Sequence, residues 1–557
     1  MFVRLKRSAR GDRVHEYLQL VRSYREDGRV RQRVVATLGR RDVLAASGEL
    51  DGLVRSLARF TTNLRVVEAV RSRGLQARSA RSWGPALVFE RLWSRQGLPD
   101  LLHSLAEDRR FQFDVERVAF AMALQRLCQP GSDLQGSAWI HTVEAEGFAD
   151  LQLQHFYRTC GFLCDVREDL ERKLFFRDRD LFSEELDLVF IDTTSVYVHR
   201  DTETPWRKRG YSRDRRGDLP QFVLCVAVDK KSWPVAWEIF PGNTADKEAL
   251  VRIVEILRKR FRIRRTIVVA DRGMISNDTI EMLTEHKTAP FDFILGCRMR
   301  RQREVNDEVL GRAGRFHKVA HNLEVKEVWV EDRRYVVCHN PEEAAKDVAA
   351  REAIVEKLQR LLAEHGPKAV IGNRGYARFL KIERGSVTID ERAMQWDARL
   401  DGKFVLRTNT DLSAAEVALA YKSLWRVERT FREEKSTLQV RPIYHHRDDT
   451  SIGHIVASFL ALRLEVDLQG RLDEREVTTS WPDLMRDIAQ VQAVVVDLDG
   501  TRFLLRTDLV GSAHQAFAAA GVRPPPAVTM IGPSPPQEAA RDEGGVVPTA
   551  PRVSAND

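Results

Sequence analysis

Hydrophobic and polar positions alternate near the start of the chain, and this alternation predicts a β-hairpin. Residues 14–23 and 30–38 each alternate, and the pair Asp27-Gly28 stands between them. An Asp-Gly pair between two alternating runs is typical of a tight hairpin turn. We therefore predict that residues 1–80 form a small module built around a hairpin.

Helical spacing of apolar residues replaces the alternation further along the chain. It covers residues 45–75 and then residues 81–181, where Pro130-Gly131 is the main break. Apolar residues that recur every three to four positions place one stripe of a helix against a core. This spacing predicts a helical end to the first module and an all-helical segment over residues 81–181.

From residue 182 the pattern changes to short apolar runs separated by helical spacing. The predicted strands are 186–191, 222–228, 235–240, 266–270 and 291–297. Helices are predicted over 246–260 and from Ser276 to about 286. Strands that are buried on both faces and alternate with helices are typical of an α/β sheet covered by helices. Residues 182–297 are thus predicted to form the first part of an α/β core.

The remaining residues divide into four predicted regions. Residues 298–401 interrupt the core pattern with a mixture of strands and helix, and residues 402–470 resume it. Residues 471–522 form a C-terminal region. Residues 523–557 contain eight prolines without any periodicity, which predicts a disordered tail.

Two acidic residues follow predicted buried strands. Asp192 follows the strand 186–191, and Asp271 follows the strand 266–270. Catalytic and ligand-binding groups collect at such strand ends in α/β sheets, although an Asp in this position can also simply cap a turn. If the two strands are neighbours, both carboxylates are within reach of one metal ion.

A third acid, Glu428, lies in a helical stretch that begins with the capping box Ser413–Glu416. Tyr421, Glu428 and Lys435 are seven residues apart, so we expect all three on one stripe of a helix. Three arginines are close by, namely Arg426, Arg429 and Arg432. A carboxylate between a phenol and an ammonium group suits a metal-bound phosphate, whereas the alternative is a charged helix face that is only solvated.

Charge and length narrow the class of protein. The net charge is +8, and residues 1–80 alone hold 18 Lys and Arg against 8 Asp and Glu, a balance of +10. A basic module joined to a nearly neutral remainder of the chain indicates that the partner is an anionic polymer. The alternative is an ordinary surface that is rich in arginine. A chain of 557 residues predicts three or four domains. Without a run of 18 apolar residues, it is expected to be soluble and cytoplasmic.

Other groups of residues have weaker patterns. Cys160 and Cys164 are spaced to share a helix face, but no second Cys/His pair at zinc-site spacing accompanies them, so no structural metal is predicted. His445-His446 follows a proline, and a polar loop is favoured there over a metal cluster. A basic run after Trp206 either contacts phosphate or is a solvated loop; it consists of Lys208, Arg209, Arg213, Arg215 and Arg216.

Five sequence blocks occur in an order that resembles a known family. They are Phe-Ile-Asp192-Thr-Thr-Ser, the run from Gly210 to Gln221, the run from Phe240 to Lys247, Val-Ala-Asp271-Arg-Gly-Met, and Tyr421…Glu428…Lys435. Together they resemble the bacterial insertion-sequence DDE transposases of the Tyr-Arg-Glu-Lys branch, over about residues 180–465. One position departs from that branch, since Leu424 stands where its Arg is expected.

The resemblance implies a fold and a set of site residues. It implies an RNase H-like mixed sheet, interrupted by an α+β insertion domain at residues 298–401. Asp192, Asp271 and Glu428 become the catalytic, metal-binding triad for two Mg²⁺ ions, with Mn²⁺ as a substitute. The resemblance also implies that Tyr421 and Lys435 contact DNA phosphate. Arg426 and Arg432 are implied as further phosphate contacts, and Arg426 would replace the missing Arg.

The resemblance also implies an activity and partners. We expect DNA cleavage at the ends of an element and strand transfer into target DNA, by a dimer bound to double-stranded DNA at the nucleoid. The N-terminal module, the helical segment and the region after residue 436 are expected to bind the terminal inverted repeats. Two alternatives stay open: an RNase H-like nuclease without strand transfer, and a non-catalytic DNA-binding protein derived from a transposase.

Overall fold

The computed structural model of the protein describes residues 1–10, 13–26, 29–58, 75–182, 188–261, 266–272, 274, 276–285, 290–300, 302–371, 377–383, 386–498 and 501–533. The chain divides into two compact units. The first unit comprises Met1–Gly84, Arg486–Ala513 and Arg523–Asp557, and the second comprises Pro85–Met485 and His514–Val522. Within the described ranges, no helix is both long and apolar enough to cross a lipid bilayer.

The described strands are, in chain order, β1 (Phe2–Arg10), β2 (Arg13–Glu26), β3 (Arg29–Arg40), β4 (Leu75–Ser82), β5 (Leu188–Tyr197), β6 (Gln221–Val228), β7 (Pro234–Pro241), β8 (Ile267–Ala270), β9 (Asp292–Gly296), β10 (His317–Ala320), β11 (Leu323–Val330), β12 (Arg333–His339), β13 (Leu380–Glu383), β14 (Ser386–Ile389), β15 (Lys403–Thr408), β16 (Gln492–Leu498), β17 (Thr501–Arg506) and β18 (Val528–Pro533).

The described α-helices are α1 (Arg41–Ala46), α2 (Glu49–Ala58), α3 (Gly84–Arg95), α4 (Leu98–Ala106), α5 (Val115–Cys128), α6 (Asp133–Trp139), α7 (Leu153–Phe182), α8 (Asp246–Lys259), α9 (Asn277–Thr284), α10 (Pro341–His365), α11 (Lys368–Ile371), α12 (Glu391–Ala398), α13 (Ala414–Lys422), α14 (Trp425–Arg432), α15 (Asp448–Asp473), α16 (Trp481–Ala489) and α17 (Ala513–Ala520). A π-helical turn, Glu433–Thr437, follows α14 directly.

The first unit contains two antiparallel sheets. In one, β2 pairs with both β1 and β3, so the predicted hairpin is confirmed and an unpredicted strand, β1, extends it. In the other, the strand order is β18-β17-β16-β4. Of the predicted helix over 45–75, α1 and α2 cover the first part, and residues 59–74 lie outside the described residues.

The four-stranded sheet corrects the prediction of a disordered tail from residue 523. The segment 528–533 is β18, which pairs with β17 from Leu505↔Val528 to Thr501↔Pro533. Four of the eight prolines that suggested disorder precede this strand or end it and the other four follow it, so β18 keeps the backbone groups that it needs for pairing. Residues 534–557 lie outside the described residues.

The second unit begins with helices, as predicted for most of residues 81–181. Its central helix is α5, in which twelve of the fourteen residues are buried, and it packs against both α7 and α15. A helix that is apolar on all sides needs such partners to cover it. The helix α15 is buried over nearly its whole first half, so α5, α7 and α15 share one core.

A nine-stranded mixed sheet with helices forms the rest of the second unit. Its strand order is β10-β11-β12-β15-β9-β8-β5-β6-β7. The strands β5, β8 and β9 are parallel, and β6 and β7 are antiparallel extensions on the β5 side. The strands β10–β12 lie within residues 298–401, and they join this sheet because β12 pairs with β15.

The core under the parallel strands explains their continuous apolar sequence. Every residue of β6 is buried, as are the last three residues of β8. The apolar faces of α8 and α9 cover one side of the sheet, where Ile253 and Leu283 are fully buried. The strand ends that carry Asp192 and Asp271 are therefore held in a closely packed part of the molecule.

Candidate active site

The two aspartates lie side by side because their strands are parallel neighbours. The register between β5 and β8 ends at Ile191↔Ala270, and Asp192 and Asp271 are the next residue of each chain segment. β8 ends there as predicted. β5 does not end at Asp192, as the sequence suggested, but continues to Tyr197, because that stretch pairs with β6.

Asp192 is partly buried, and its electrostatic surroundings show how close the other acids are. The pKa of Asp192 is raised to about 6; burial is the largest cause, and the charges of Asp271 and Asp246 also raise it. The Arg213 guanidinium and the Thr193 backbone N–H act in the opposite direction. The Thr193 N–H donates to Asp192 Oδ1 at 2.7 Å. The site thus concentrates negative charge that one guanidinium offsets only in part.

Asp246 is a site residue that the sequence reasoning missed. It is the first residue of α8, and its Oδ1 accepts a hydrogen bond of 2.6 Å from the Thr193 hydroxyl. Arg213 Nη2 lies 3.1 Å from the same oxygen. Asp246 belongs to the block from Phe240 to Lys247, and that block was the available signal for it.

The loop between β5 and β6 covers this group of acids. Its residue Arg213 places Nη1 at 3.6 Å from Asp192 Oδ1 and donates from Nη2 to the Thr193 hydroxyl at 2.7 Å. Three of the other basic residues predicted here are paired with acids within the loop: Lys208 with Glu203, Arg209 with Asp201 and Glu203, and Arg216 with Asp218.

Tyr421 contacts the second aspartate directly. Its hydroxyl donates to Asp271 Oδ1 at 2.8 Å, and its ring stacks on Phe404 with a centroid distance of 5.7 Å. Burial, as the largest effect, and the Asp271 charge raise the pKa of Tyr421, so the phenol stays protonated and remains a donor. A Cβ at Gly296 would lie 2.4 Å from the Tyr421 hydroxyl oxygen, so the absence of a side chain at Gly296 makes room for this contact.

Lys435 lies in the π-helical turn and contacts the loop that carries Arg213. Its Nζ is 3.1 Å from Asp214 Oδ1, and Arg441 Nε is 2.9 Å from the other oxygen of Asp214. Burial lowers the pKa of Lys435 despite the opposing effect of Asp214. The ammonium group therefore stands next to the candidate site and is already paired with a carboxylate.

Glu428 is exposed on α14, and the prediction of one continuous helical stripe is wrong. The helix α13 ends at Lys422, and hydrogen bonds of the i→i−3 type follow, from Ser423 to Ala420 and from Leu424 to Tyr421. Such bonds tighten the turn and rotate the following residues relative to an α-helix. Tyr421 and Glu428 are consequently on separate helices.

The arginines near Glu428 differ in their surroundings. Arg426 stacks over the Trp425 ring at 5.1 Å, and Arg429 lies 3.6 Å from Glu433. Arg432 is exposed. Leu424, which stands in the position expected for an arginine, is buried, so an apolar contact replaces the charge there.

The residues present fit a divalent cation in part. Two hard carboxylates stand at adjacent strand ends with a third, Asp246, connected to them through Thr193. Among the residues that the structure describes, Asp192, Asp271 and Glu428 are not a group whose ligand atoms all lie within 4.8 Å of one another. The structure brings together the two aspartates and Tyr421, and it leaves Glu428 in solvent.

The chain was compared with protein families, curated proteins and solved structures. The family described as IS1634 family transposase, N-terminal domain, matches residues 3–70, and the family described as Transposase DDE domain matches residues 183–464. No curated protein matches the chain. A cryo-EM structure of a piggyBac transposase synaptic complex with hairpin DNA is similar, with a TM-score of 0.39 and 10% sequence identity, over 73% of this chain and 79% of that chain.

The larger family match covers half of the chain and includes all three acids identified from the sequence. DDE transposase domains use divalent metal ions, and the paired aspartates are suitable oxygen ligands. The N-terminal match coincides with the basic module. The chain therefore belongs to the DDE transposases of insertion sequences.

Proposed function

We propose that this transposase binds the terminal inverted repeats of its own element and moves the element by cutting and joining DNA. Water attacks the phosphodiester at the element end, and the bond to the 3′ oxygen breaks to leave a free 3′-OH. That hydroxyl then attacks a phosphodiester of the target DNA by the same in-line displacement, so no covalent protein–DNA intermediate is needed.

The observation that carries this proposal is the register of β5 and β8. Because Ile191 pairs with Ala270, the carboxylates of Asp192 and Asp271 are adjacent and repel one another. A divalent cation relieves that repulsion, and Asp192 and Asp271 are the residues proposed to hold it. A pair of Mg²⁺ ions, when bound, supplies Lewis-acid stabilisation of the attacking and leaving oxygens.

Residues around the aspartates position them and the DNA. Tyr421 orients the Asp271 carboxylate through its hydroxyl, and Thr193 connects Asp192 with Asp246. Lys435 is proposed as a phosphate contact, because a phosphate can take the place of Asp214 beside its ammonium group. Arg426 and Arg432 are proposed as further phosphate contacts on the helix that carries Glu428.

Glu428 is proposed as the third metal ligand. Its exposure in this structure means that it reaches the aspartates only after a change of side-chain rotamer or a movement of α14. The tight turn before α14 and the π-helical turn after it are the places where such a movement is absorbed. π-Helical turns are frequent at functional sites.

The basic N-terminal sheet is proposed to bind the DNA of the element ends. Arg22 and Arg33 lie directly opposite each other on β2 and β3, and both are exposed. Two like charges in a cross-strand pair destabilise a sheet unless an anion lies between them. A phosphate backbone supplies that anion, and two copies of the chain on two element ends give the expected dimer.

The experiment is a cleavage assay on labelled duplexes that carry an element end, with the variants Asp192→Asn, Asp271→Asn and Glu428→Gln. We expect each to lower the cleavage rate by at least about a hundredfold while DNA binding changes less than about threefold. Glu433→Gln is the matched control, because Glu433 directly follows the same helix and pairs with Arg429 and Thr437. Unchanged cleavage by the three site variants contradicts the proposal.

A second assay separates a transposase reaction from simple cutting. A pre-cut element end with a free 3′-OH is mixed with supercoiled target DNA, and the joined product is measured. Joined product that depends on Asp192 supports strand transfer. Cleavage without any joined product, under conditions where the wild-type protein cuts efficiently, indicates a nuclease instead.

A further inference from the structure

A second group of metal-ligating side chains lies in the helical part of the second unit. Asp133 is the first residue of α6, Cys160 is in α7, and His445 is in the loop before α15. All three side chains are buried, and their ligand atoms all lie within 4.8 Å of one another. None of them belongs to the group around Asp192.

The distances within this group match the edges of a tetrahedral site. Cys160 Sγ lies 3.2 Å from Asp133 Oδ2, and His445 Nε2 lies 3.4 Å from the same oxygen. A tetrahedral zinc ion with Zn–S of about 2.3 Å and Zn–O and Zn–N of about 2.0 Å sets its ligand atoms roughly 3.3–3.5 Å apart. Two of the three distances between donor atoms are thus already close to the spacing that an ion requires, and the third is within 4.8 Å.

His454 in α15 lies beside this group but is not within 4.8 Å of all its ligand atoms. Its Nδ1 is 3.3 Å from His445 Nε2, and its Nε2 is 3.2 Å from the carbonyl oxygen of Val440. When Nε2 donates to that carbonyl, Nδ1 is left as an acceptor for a neighbouring donor group.

Arg126 also contacts the side chains around this group. Its Nη2 lies 2.9 Å from His454 Nδ1 and 3.2 Å from Asp133 Oδ1. An ion bound through Asp133 Oδ2 leaves Oδ1 to Arg126, so the contacts of the guanidinium with Asp133 and His454 can both persist. A cavity of about 520 Å³ borders the group and is lined in part by Tyr157, Arg158 and Asp449, which gives an ion a route from solvent.

We propose that Asp133, Cys160 and His445 bind a zinc ion that ties α6, α7 and the loop before α15 together, with the fourth position of the ion facing the adjoining cavity. Mixed thiolate, imidazole and carboxylate ligands favour zinc over Mg²⁺, which prefers oxygen. The Cys160 thiol releases its proton to solvent when the Zn–S bond forms. The site is separate from the acids at the strand ends, and its role is to stabilise the fold.

The experiment measures zinc bound to the purified full-length protein by mass spectrometry of the metal, in buffer with excess Mg²⁺. We expect one zinc ion per chain, and a more than tenfold loss of zinc affinity in Cys160→Ser and His445→Ala. Cys164→Ser, one turn further along α7, and His446→Ala, the exposed neighbour of His445, are the matched controls and keep the ion.

Two results overturn the proposal. One is a folded wild-type protein that binds no zinc, either as purified or after titration with zinc chloride. The other is full zinc binding by both Cys160→Ser and His445→Ala. If those variants do not fold, as measured by circular dichroism, the cobalt-substituted wild-type protein decides. A thiolate-to-cobalt charge-transfer band supports the site, and its absence contradicts it.

Discussion

The folded protein disfavours the charged form of the Asp192 side chain. Burial and the neighbouring acids raise its pKa from 3.8 to about 6, so the folded state binds a proton more tightly than the unfolded state does. The stabilising effect of that proton is complete below pH 3.8 and is lost as the pH rises through 6. At neutral pH, without metal, the charged side chain therefore destabilises the fold.

Asp192→Asn removes this charge at nearly constant size. In metal-free buffer at pH 7.5, we expect the variant to be more stable than the wild type by about 1–3 kcal/mol, and the difference to shrink as the pH falls below 6. Chemical denaturation at several pH values measures it. Asp218→Asn, in the loop between β5 and β6, is the control, and its exposed ion pair with Arg216 predicts little change in stability. A variant less stable than the wild type at pH 7.5 contradicts this account.

At the scale of elements, β9 and α13 meet so closely that one glycine decides whether Tyr421 reaches Asp271. A Cβ at Gly296 would lie 2.4 Å from the Tyr421 hydroxyl oxygen and 3.1 Å from the Arg272 backbone nitrogen. The ring cannot yield easily, because it stacks on Phe404.

Gly296→Ala and Tyr421→Phe should therefore have the same effect. We expect both to weaken Mn²⁺ binding at the aspartate pair by about 10–100-fold, because each removes the outer hydrogen bond to a metal ligand. Isothermal titration measures the affinity. Tyr335→Phe is the control, since it loses a hydroxyl–carboxylate bond of the same 2.8 Å length, to Glu304, away from the aspartates. If Tyr421→Phe binds Mn²⁺ as tightly as the wild type, then Tyr421 does not position the Asp271 carboxylate for the metal.

Sequence periodicity was sufficient to predict most of the individual strands and helices near the site. The apolar runs before Asp192 and Asp271 are strands because residues such as Val189 and Val268 are buried by helices on the sheet. The same reasoning failed at Tyr421 and Glu428, because seven-residue spacing assumes an unbroken helix. Hydrogen bonds around Ser423 break it, and no side-chain pattern reveals them.

At the scale of the whole molecule, contacts between distant segments could not be predicted from local patterns. The strand β4 pairs with β16, more than 400 residues later in the chain, so neither segment shows on its own that it belongs to a sheet. The group of Asp133, Cys160 and His445 likewise comes from three separated segments, which is why spacing along the chain did not predict it.

The basic charge of the first unit leads to a prediction about DNA binding. Replacing Arg22 and Arg33 together by Ala should lower affinity for any duplex and reduce the slope of log affinity against log salt by about two, since each arginine contacts one phosphate. Fluorescence anisotropy over a salt series measures the slope. In the control double variant, Arg172 and Lys259 become Ala; both already pair with acids on their own helices. A slope unchanged by the Arg22 and Arg33 substitutions contradicts DNA binding by this face.

The most direct test of the account is the position of Mn²⁺ in a complex with an element-end duplex, located by anomalous X-ray diffraction. We expect Mn²⁺ to be bound by the carboxylates of Asp192 and Asp271, with Glu428 moved from solvent into the same coordination shell. Mn²⁺ found elsewhere, or bound to the aspartates while Glu428 stays in solvent, would contradict the assignment of the three acids as one catalytic site.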